Sequence, residues 1–149
     1  MTSVAYRFEV SLTGTPPAGG ILAAGARVPI AGGAPPEFGG SAEPWSPEHL
    51  LVSAAALCFL TTAEWFARRA KLELRAFSCR AEGLVEKTPA GLAFTSVRLE
   101  VHATVPRGDT ARANALLATA KKHCLISNSL RCPVELAADV DEAATPVAA

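Results

Sequence analysis

The feature that most constrains this chain is an apolar run at residues 50–60, interrupted only by Ser53, which follows a set of helix-start signals. Ser46 is a residue type that caps helices, Pro47 fits a first helical position, and Glu48 favours the positive end of the helix dipole. These signals predict a helix from residue 47 to about residue 71. Because its first half is apolar on every face, we expect that half to be buried all round.

Patterns on either side of this helix predict a mixed α+β chain. In sequence order the elements read β-β-α-β-β-α-α-β, which favours an antiparallel sheet over a doubly wound one. Residues 31–47 are rich in glycine and proline, and we expect a long loop there. A second helix is predicted over residues 110–122, with a short helical piece after Cys124. The predicted strands are residues 4–12, 72–86, 93–105 and 133–140, and residues 21–30 are expected to hold one or two short strands around Gly25.

A chain of this size has difficulty covering such a helix. Its 149 residues amount to one domain, which we divide into N-terminal strands and loop (residues 1–45), a core (46–141) and a tail (142–149). One short sheet can hardly cover an apolar helix on all sides. The simplest solution is a homodimer in which two such helices share a core.

Charge and composition exclude several classes of partner. The 14 acidic and 14 basic residues balance, and no basic tract or acidic tail stands out, so we expect no nucleic-acid partner. The apolar run is shorter than the roughly 20 residues that a bilayer span requires. Residues 1–9 lack the apolar core of a signal peptide. We therefore expect a cytoplasmic protein without a membrane segment.

The cysteines do not form a recognisable cluster. None pairs with another at the C-x-x-C spacing of a zinc knuckle or a thioredoxin motif, so a buried inert thiol is the default interpretation of each. Cys124 differs because a Lys-Lys-His run precedes it and a new helix is expected to begin after it, and both features favour the thiolate. The four positions are Cys58, Cys79, Cys124 and Cys132.

Two segments resemble the signature motifs of the OsmC/Ohr family. The first runs Ser46-Pro-Glu-His-Leu-Leu and continues as Ala-Ala-Ala-Leu-Cys58-Phe. It is similar to the family's Asn-Pro-Glu-x-Leu, its run of small residues and its Ala-Cys-Phe. The second segment, Cys124-Leu-Ile-Ser127, is similar to the Cys-x-x-Ser near the end of the family's second long helix. The resemblance covers roughly residues 35–141.

The resemblance implies both a fold and an activity. The fold is α+β and OsmC-like, with a strongly curved antiparallel sheet around a buried central helix in an intertwined homodimer. The activity is that of a thiol-dependent peroxidase of the oxidative stress response, which reduces organic hydroperoxides. Cys58 would be oxidised to a sulfenic acid, and Cys124 would resolve it as a Cys58–Cys124 disulfide. A dithiol reductant, such as a lipoylated protein, would restore both thiols.

The resemblance also implies a site shared between subunits. The family's glutamate at the position of Glu48 reaches the other subunit's site and orients an arginine there. An unbroken helix, at about 1.5 Å per residue, separates Glu48 from Cys58 of its own chain by about 15 Å. The alternative interpretation of Glu48 is a helix-start acid favoured by the dipole. For the activating arginine, Arg27 is the nearest candidate and Arg7 a weaker one, but neither aligns with the family's position.

Two departures from the family pattern keep a second function open. The loop at residues 31–47 has no arginine, and the second motif continues with Leu125 where many members have proline. The alternative is a non-catalytic OsmC-like binder of a small apolar ligand, with two inert buried thiols. Cys79 and Cys132 are expected to be structural. We expect no cofactor and no metal, because His123 with thiols from distant segments is a poor ligand set.

Overall fold

The computed structural model describes residues 4–144, which belong to two compact units, Met1–Leu50 and Leu51–Ala149. The first unit holds a three-stranded antiparallel sheet of order β1-β2-β3 and a short 3-10 helix at Pro36–Phe38. The strand expected over residues 4–12 is wrong for residues 4–10, because pairing with β2 begins at Ser11. The end of the expected tail lies outside the described residues. The strands are β1 (Ser11–Gly14), β2 (Gly20–Ala23) and β3 (Ile30–Gly32).

The long helix α1, Pro47–Ala70, begins and ends where the sequence predicts. At its start the backbone N–H of His49 donates to Ser46 Oγ at 3.2 Å, which confirms Ser46 as the cap. At its end Lys71 adopts a left-handed conformation with φ 50°. The N–H of Leu72 then returns to the carbonyl of Ala67 at 2.9 Å. This bond across the helix end, with buried Leu72 beside it, stops the helix without a glycine.

The second unit contains a sheet of order β4-β5-β6. The long hairpin of β4 and β5 is antiparallel, as expected, but β6 pairs with β5 in parallel. The expectation of a wholly antiparallel sheet is therefore wrong for the last strand. The reason is topological: a crossover through two helices returns the chain to the same end of the sheet. The elements are β4 (Ala76–Thr88), β5 (Gly91–Val105), α2 (Thr110–His123), α3 (Leu125–Ser129) and β6 (Val134–Glu142).

The core of the second unit lies on one face of the central strand β5. Alternate β5 side chains are buried, as the period of two in a strand requires. Helices α1 and α2 contribute stripes of mostly small side chains to the same core, so their backbones can approach closely. The buried side chains are Val97, Leu99, Val101, Ala103 and Val105 of β5, Ala55, Phe59, Ala63 and Ala67 of α1, and Ala113, Leu116, Leu117 and Ala120 of α2.

The single chain does not bury α1 all round, as the difficulty of covering it with one short sheet led us to expect. Four of its 24 residues are buried, whereas Leu57 is 62% exposed and Trp65 is 47% exposed. One sheet covers one stripe of a helix, and the other faces remain open. By length and composition α1 also meets the criterion for a membrane-crossing helix. The expectation that no segment reaches that length is therefore wrong, because the apolar stretch continues past residue 60.

At Gly83 the hairpin of β4 and β5 packs tightly against α1. A Cβ at this position would come within 2.6 Å of both Val52 Cγ2 and Phe94 Cε1. We expect Gly83→Val to lower the free energy of unfolding by about 1–3 kcal/mol, because the added carbons overpack this contact. Urea denaturation measures the change. The matched control is Glu82→Val, which places the same side chain at the neighbouring exposed position; equal destabilisation by both variants would contradict the assignment.

Candidate functional site

Cys58 lies about three turns into α1, on a side of the helix that meets α3. Its side chain is half-buried and its thiol is free. The backbone N–H of Ile126 donates to Cys58 Sγ at 3.5 Å. Ile126 is the second residue of α3, and N–H groups in a first helical turn have no intrahelical acceptor. A sulfur on α1 therefore supplies the acceptor for this N–H.

Cys124 is the residue at which α2 ends and α3 begins. Its extended backbone, with φ −66° and ψ 110°, separates the two helices. The side chain is 0% exposed, and the Ser127 hydroxyl donates to Cys124 Sγ at 3.2 Å. The Asn128 amide donates to the carbonyl of Lys122 at 2.9 Å across the break. This bond joins α3 to the last turn of α2 across the break.

The two cysteines, far apart in sequence, thus lie on adjoining segments of the second unit. Neighbouring residues of α3 donate to them, Ile126 to Cys58 and Ser127 to Cys124. Both thiols also belong to one hydrophobic cluster, Cys124 as a buried member and Cys58 as a partly buried neighbour. A hydrogen bond to sulfur stabilises the thiolate more than the thiol. The arrangement therefore gives each sulfur a hydrogen-bond donor in apolar surroundings.

One turn beyond Cys58, an open cavity of about 580 Å³ lies beside the end of α2. The hydroxyls of Thr61 and Thr62 both donate to the Cys58 carbonyl, at 3.1 and 2.7 Å. The Phe66 ring lies 5.4 Å from the His123 ring, centroid to centroid. The cavity combines aromatic walls with small polar groups, as small-molecule sites often do. Its lining residues are Thr61, Thr62, Trp65, Phe66 and His123.

Glu48 belongs to the first unit, where it lines a cavity of about 760 Å³. The walls are mostly glycine, proline and apolar side chains, including Leu22, Phe38 and Trp45. Glu48 Oε2 is buried and has no hydrogen-bond partner within residues 4–144. A buried carboxylate oxygen without a partner is costly. The single chain therefore leaves this acid without the donor or cation that would compensate it.

Comparison with known proteins identifies the family. The family model described as OsmC-like protein matches residues 40–139. This chain belongs to the OsmC-like family. It is 27% identical over 106 residues to the uncharacterised protein YmaD of Bacillus subtilis (strain 168), covering 68% of this chain and 71% of that protein.

Solved structures of OsmC-like proteins share the fold. An OsmC-like protein of unknown function from Vibrio cholerae superposes with a TM-score of 0.80 at 15% identity, covering 91% of this chain and 100% of the other. An organic hydroperoxide resistance protein OsmC from Legionella pneumophila superposes with a TM-score of 0.73 at 25% identity, covering 93% and 99%. The mixed α+β fold expected from the sequence is thereby confirmed.

The two arginines considered for this OsmC-like site are both exposed residues of the first unit. Arg27 lies in the turn between β2 and β3, and its guanidinium donates to the carbonyl of Ala24 at 3.4 Å. Arg7 precedes β1 in a segment without regular structure. The role of either residue toward Cys58 stays a hypothesis.

The remaining cysteines lie in the core of the second unit. Cys79 on β4 and Cys132 before β6 are half-buried and pack against the hydrophobic cluster. Burial raises the pKa of the Cys79 thiol. Among residues 4–144 no group of three His, Cys, Asp or Glu side chains is placed to hold a metal ion.

Sequence reasoning assigned no role to two groups that contact the sulfurs. Ser127 was visible as the last residue of the Cys-x-x-Ser motif, and that spacing was the available signal. The N–H of Ile126 carries no such signal, because every residue except proline supplies one. Its contact with Cys58 depends on how α3 packs against α1, which side-chain identity at position 126 does not encode.

We expect iodoacetamide to label Cys58 faster than Cys79 at pH 7. Burial raises the pKa of the Cys79 thiol, so less of it is thiolate at any pH below that value, and alkylation requires thiolate. Raising the pH toward 10 should increase Cys79 labelling more than Cys58 labelling. Peptide mass spectrometry of the folded protein after timed quenching measures both rates. Faster labelling of Cys79 at pH 7 would show that it is not an inert core thiol.

Proposed function

We propose that this OsmC-like protein is a thiol-dependent peroxidase that reduces organic hydroperoxides with Cys58 and Cys124. The observation that carries the proposal is the bond from Ile126 N–H to Cys58 Sγ at 3.5 Å. It ties the segment of the second cysteine directly to the sulfur of the first. A half-buried nucleophile beside a buried second thiol is the arrangement that a two-cysteine peroxidase requires.

The chemistry proceeds in two balanced steps. The Cys58 thiolate attacks the distal oxygen of the hydroperoxide, the O–O bond breaks, and the alkoxide leaves as an alcohol after taking a proton. Cys58 is then a sulfenic acid. The Cys124 sulfur attacks the Cys58 sulfur, the S–O bond breaks, and water leaves as the Cys58–Cys124 disulfide forms. The sulfurs must then lie about 2.05 Å apart, so the Cys124 segment moves toward α1.

A dithiol completes the cycle by thiol–disulfide exchange and is itself oxidised to a disulfide. We place the reaction in the cytoplasm, because a reducing compartment keeps the thiol pair available. The aromatic walls of the cavity one turn beyond Cys58 favour a hydroperoxide with an apolar body. The name of the Legionella relative, an organic hydroperoxide resistance protein, supports this substrate class.

We further propose that the site is completed by a second copy of the chain. Glu48 Oε2 has no hydrogen-bond partner among the described residues, and α1 presents Leu57 at 62% exposure. Several other large apolar side chains are also exposed, and exposed apolar surface of this kind is typical of an interface. In a homodimer Glu48 would act on the partner's site. The other large apolar side chains left exposed include Tyr6 at 81%, Phe8 at 89%, Leu12 at 67% and Trp45 at 50%.

The alternative function is a non-catalytic binder of a small apolar ligand. The cavity of about 760 Å³ in the first unit, with its predominantly apolar walls, favours this candidate. Both thiols would then be inert. Because the two functions make opposite predictions about thiol oxidation, a single titration separates them.

We expect one equivalent of cumene hydroperoxide to remove a pair of thiols from the reduced protein. The pair is Cys58 and Cys124, which end in one disulfide, whereas Cys79 and Cys132 stay reduced. Thiol counting under denaturing conditions, followed by peptide mass spectrometry, measures the loss. Cys58→Ser should abolish it, and Cys124→Ser should stop at a sulfenic acid that dimedone traps. Slow, partial loss spread over all four cysteines would support the binder instead.

Subunit complementation tests the shared site. Cys58→Ser and Glu48→Gln each should reduce peroxidase activity strongly when assayed alone. If Glu48 serves the partner's Cys58, refolding the two variants together creates a heterodimer with one intact site, and about a quarter of the wild-type activity returns. Cysteine-dependent peroxide consumption measures the recovery.

If the mixture has no more peroxidase activity than its separate components, then Glu48 and Cys58 belong to the same subunit's site or Glu48 has no role. The control is a mixture of Cys58→Ser with Cys124→Ser. These two residues belong to one unit of one chain, so no active heterodimer site is expected when each subunit lacks a different sulfur of the same pair.

A further inference from the structure

The five-residue helix α3 contacts both sulfurs through two different kinds of donor. Ile126 offers a backbone N–H to Cys58 Sγ at 3.5 Å, and Ser127 offers a hydroxyl to Cys124 Sγ at 3.2 Å. Ser127 is 7% exposed and Cys124 is 0% exposed, so water competes little for their bond. The two contacts are adjacent in sequence but differ in their donor and in the sulfur that accepts.

We propose that Ile126 and Ser127 are positioning residues, each of which assists a different step of the peroxidase cycle. The Ile126 N–H stabilises the Cys58 thiolate for attack on the peroxide. The Ser127 hydroxyl stabilises Cys124 as thiolate for attack on the Cys58 sulfenic acid. This inference rests on the proposed function and adds to it the groups that activate each sulfur.

Hydrogen-bond geometry supports these two roles. A hydroxyl rotates, so Ser127 can keep its bond as Cys124 gains negative charge and moves toward Cys58. A peptide N–H is fixed by its helix, so Ile126 can serve a sulfur that stays on α1. When the disulfide forms, both sulfurs lose their charge and both donors lose much of their attraction. The reduced pair is therefore the state that α3 favours.

The other polar groups of α3 serve as internal comparisons. Ser129 Oγ donates to the Leu125 carbonyl at 2.9 Å and touches neither sulfur. The backbone N–H of Asn128 donates to the Cys124 carbonyl at 3.0 Å, not to its sulfur. Ser127 and Ser129 are thus the same residue type on the same short helix, with and without a sulfur contact.

The first experiment compares Ser127→Ala with Ser129→Ala. We expect Ser127→Ala to slow disulfide formation about tenfold while the rate of Cys58 sulfenic acid formation stays within about twofold, since a hydrogen bond to a charged group contributes on this scale. Ser129→Ala should change neither rate. Sulfenic acid formation is followed by dimedone trapping in a Cys124→Ser background, and disulfide formation by quenched-flow mass spectrometry in the two-cysteine protein.

The second experiment removes the Ile126 N–H. Ile126→Pro should slow iodoacetamide labelling of Cys58 at pH 7, and its sulfenic acid formation, about tenfold. The control Leu125→Pro removes the neighbouring N–H at a position where the preceding extended residue accepts proline. Semisynthetic replacement of residue 126 by the matching α-hydroxy acid deletes the same N–H without altering the side chain and repeats the test if proline disturbs α3.

The outcomes separate this inference from the peroxidase assignment. Diamide oxidises paired thiols without any peroxide, so slower diamide-driven disulfide formation in Ser127→Ala supports the Ser127 role even if cumene hydroperoxide is inert. Iodoacetamide labelling tests Ile126 in the same peroxide-free way. Two results would overturn these assigned roles. One is that Ser127→Ala slows sulfenic acid formation and disulfide formation equally. The other is that Ile126→Pro and Leu125→Pro slow the labelling of Cys58 equally.

Discussion

The rest of the structure depends on how a 24-residue apolar helix is covered. Helix α1 buries a stripe of three alanines and Phe59 against the sheet of the second unit. The small side chains let the helix backbone come close, and Gly83 allows β4 the same approach. This contact fixes α1 firmly on one side only. The other faces carry apolar side chains that a single chain leaves in water, which is a strong driving force for association.

The same packing positions the candidate chemistry. Because α1 is held along its length, Cys58 occupies a fixed place at the boundary between the covered stripe and the open face. The chain then returns through α2, and the break at Cys124 starts a new helix against α1. Each new helix begins with N–H groups that need acceptors. One of them meets the Cys58 sulfur, so the interruption of the helix also places a hydrogen-bond donor at this thiol.

Local patterns predicted most of the fold but not its long-range pairings. Ser46 and Pro47 marked the start of α1, and alternation marked β5, because these signals act within a few residues. The parallel pairing of β6 depends on where the crossover through α2 and α3 returns the chain, which no local pattern records. The candidate site, like the fold, was predictable only in its local part. Motif spacing selected the two sulfurs, whereas the Ile126 N–H gains its meaning from tertiary contact alone.

Neutral donors beside the sulfurs fit an apolar site better than a buried cation does. A guanidinium brought next to Cys58 would have to lose its water, a cost that an ion pair in apolar surroundings often fails to recover. An N–H and a hydroxyl bring no net charge, yet they favour the thiolate over the thiol. The ammonium group of Lys122 remains exposed at the end of α2, where it keeps its solvation. The two hydrogen-bond donors at the sulfurs would thus stabilise negative charge without an arginine from the loop at residues 31–47.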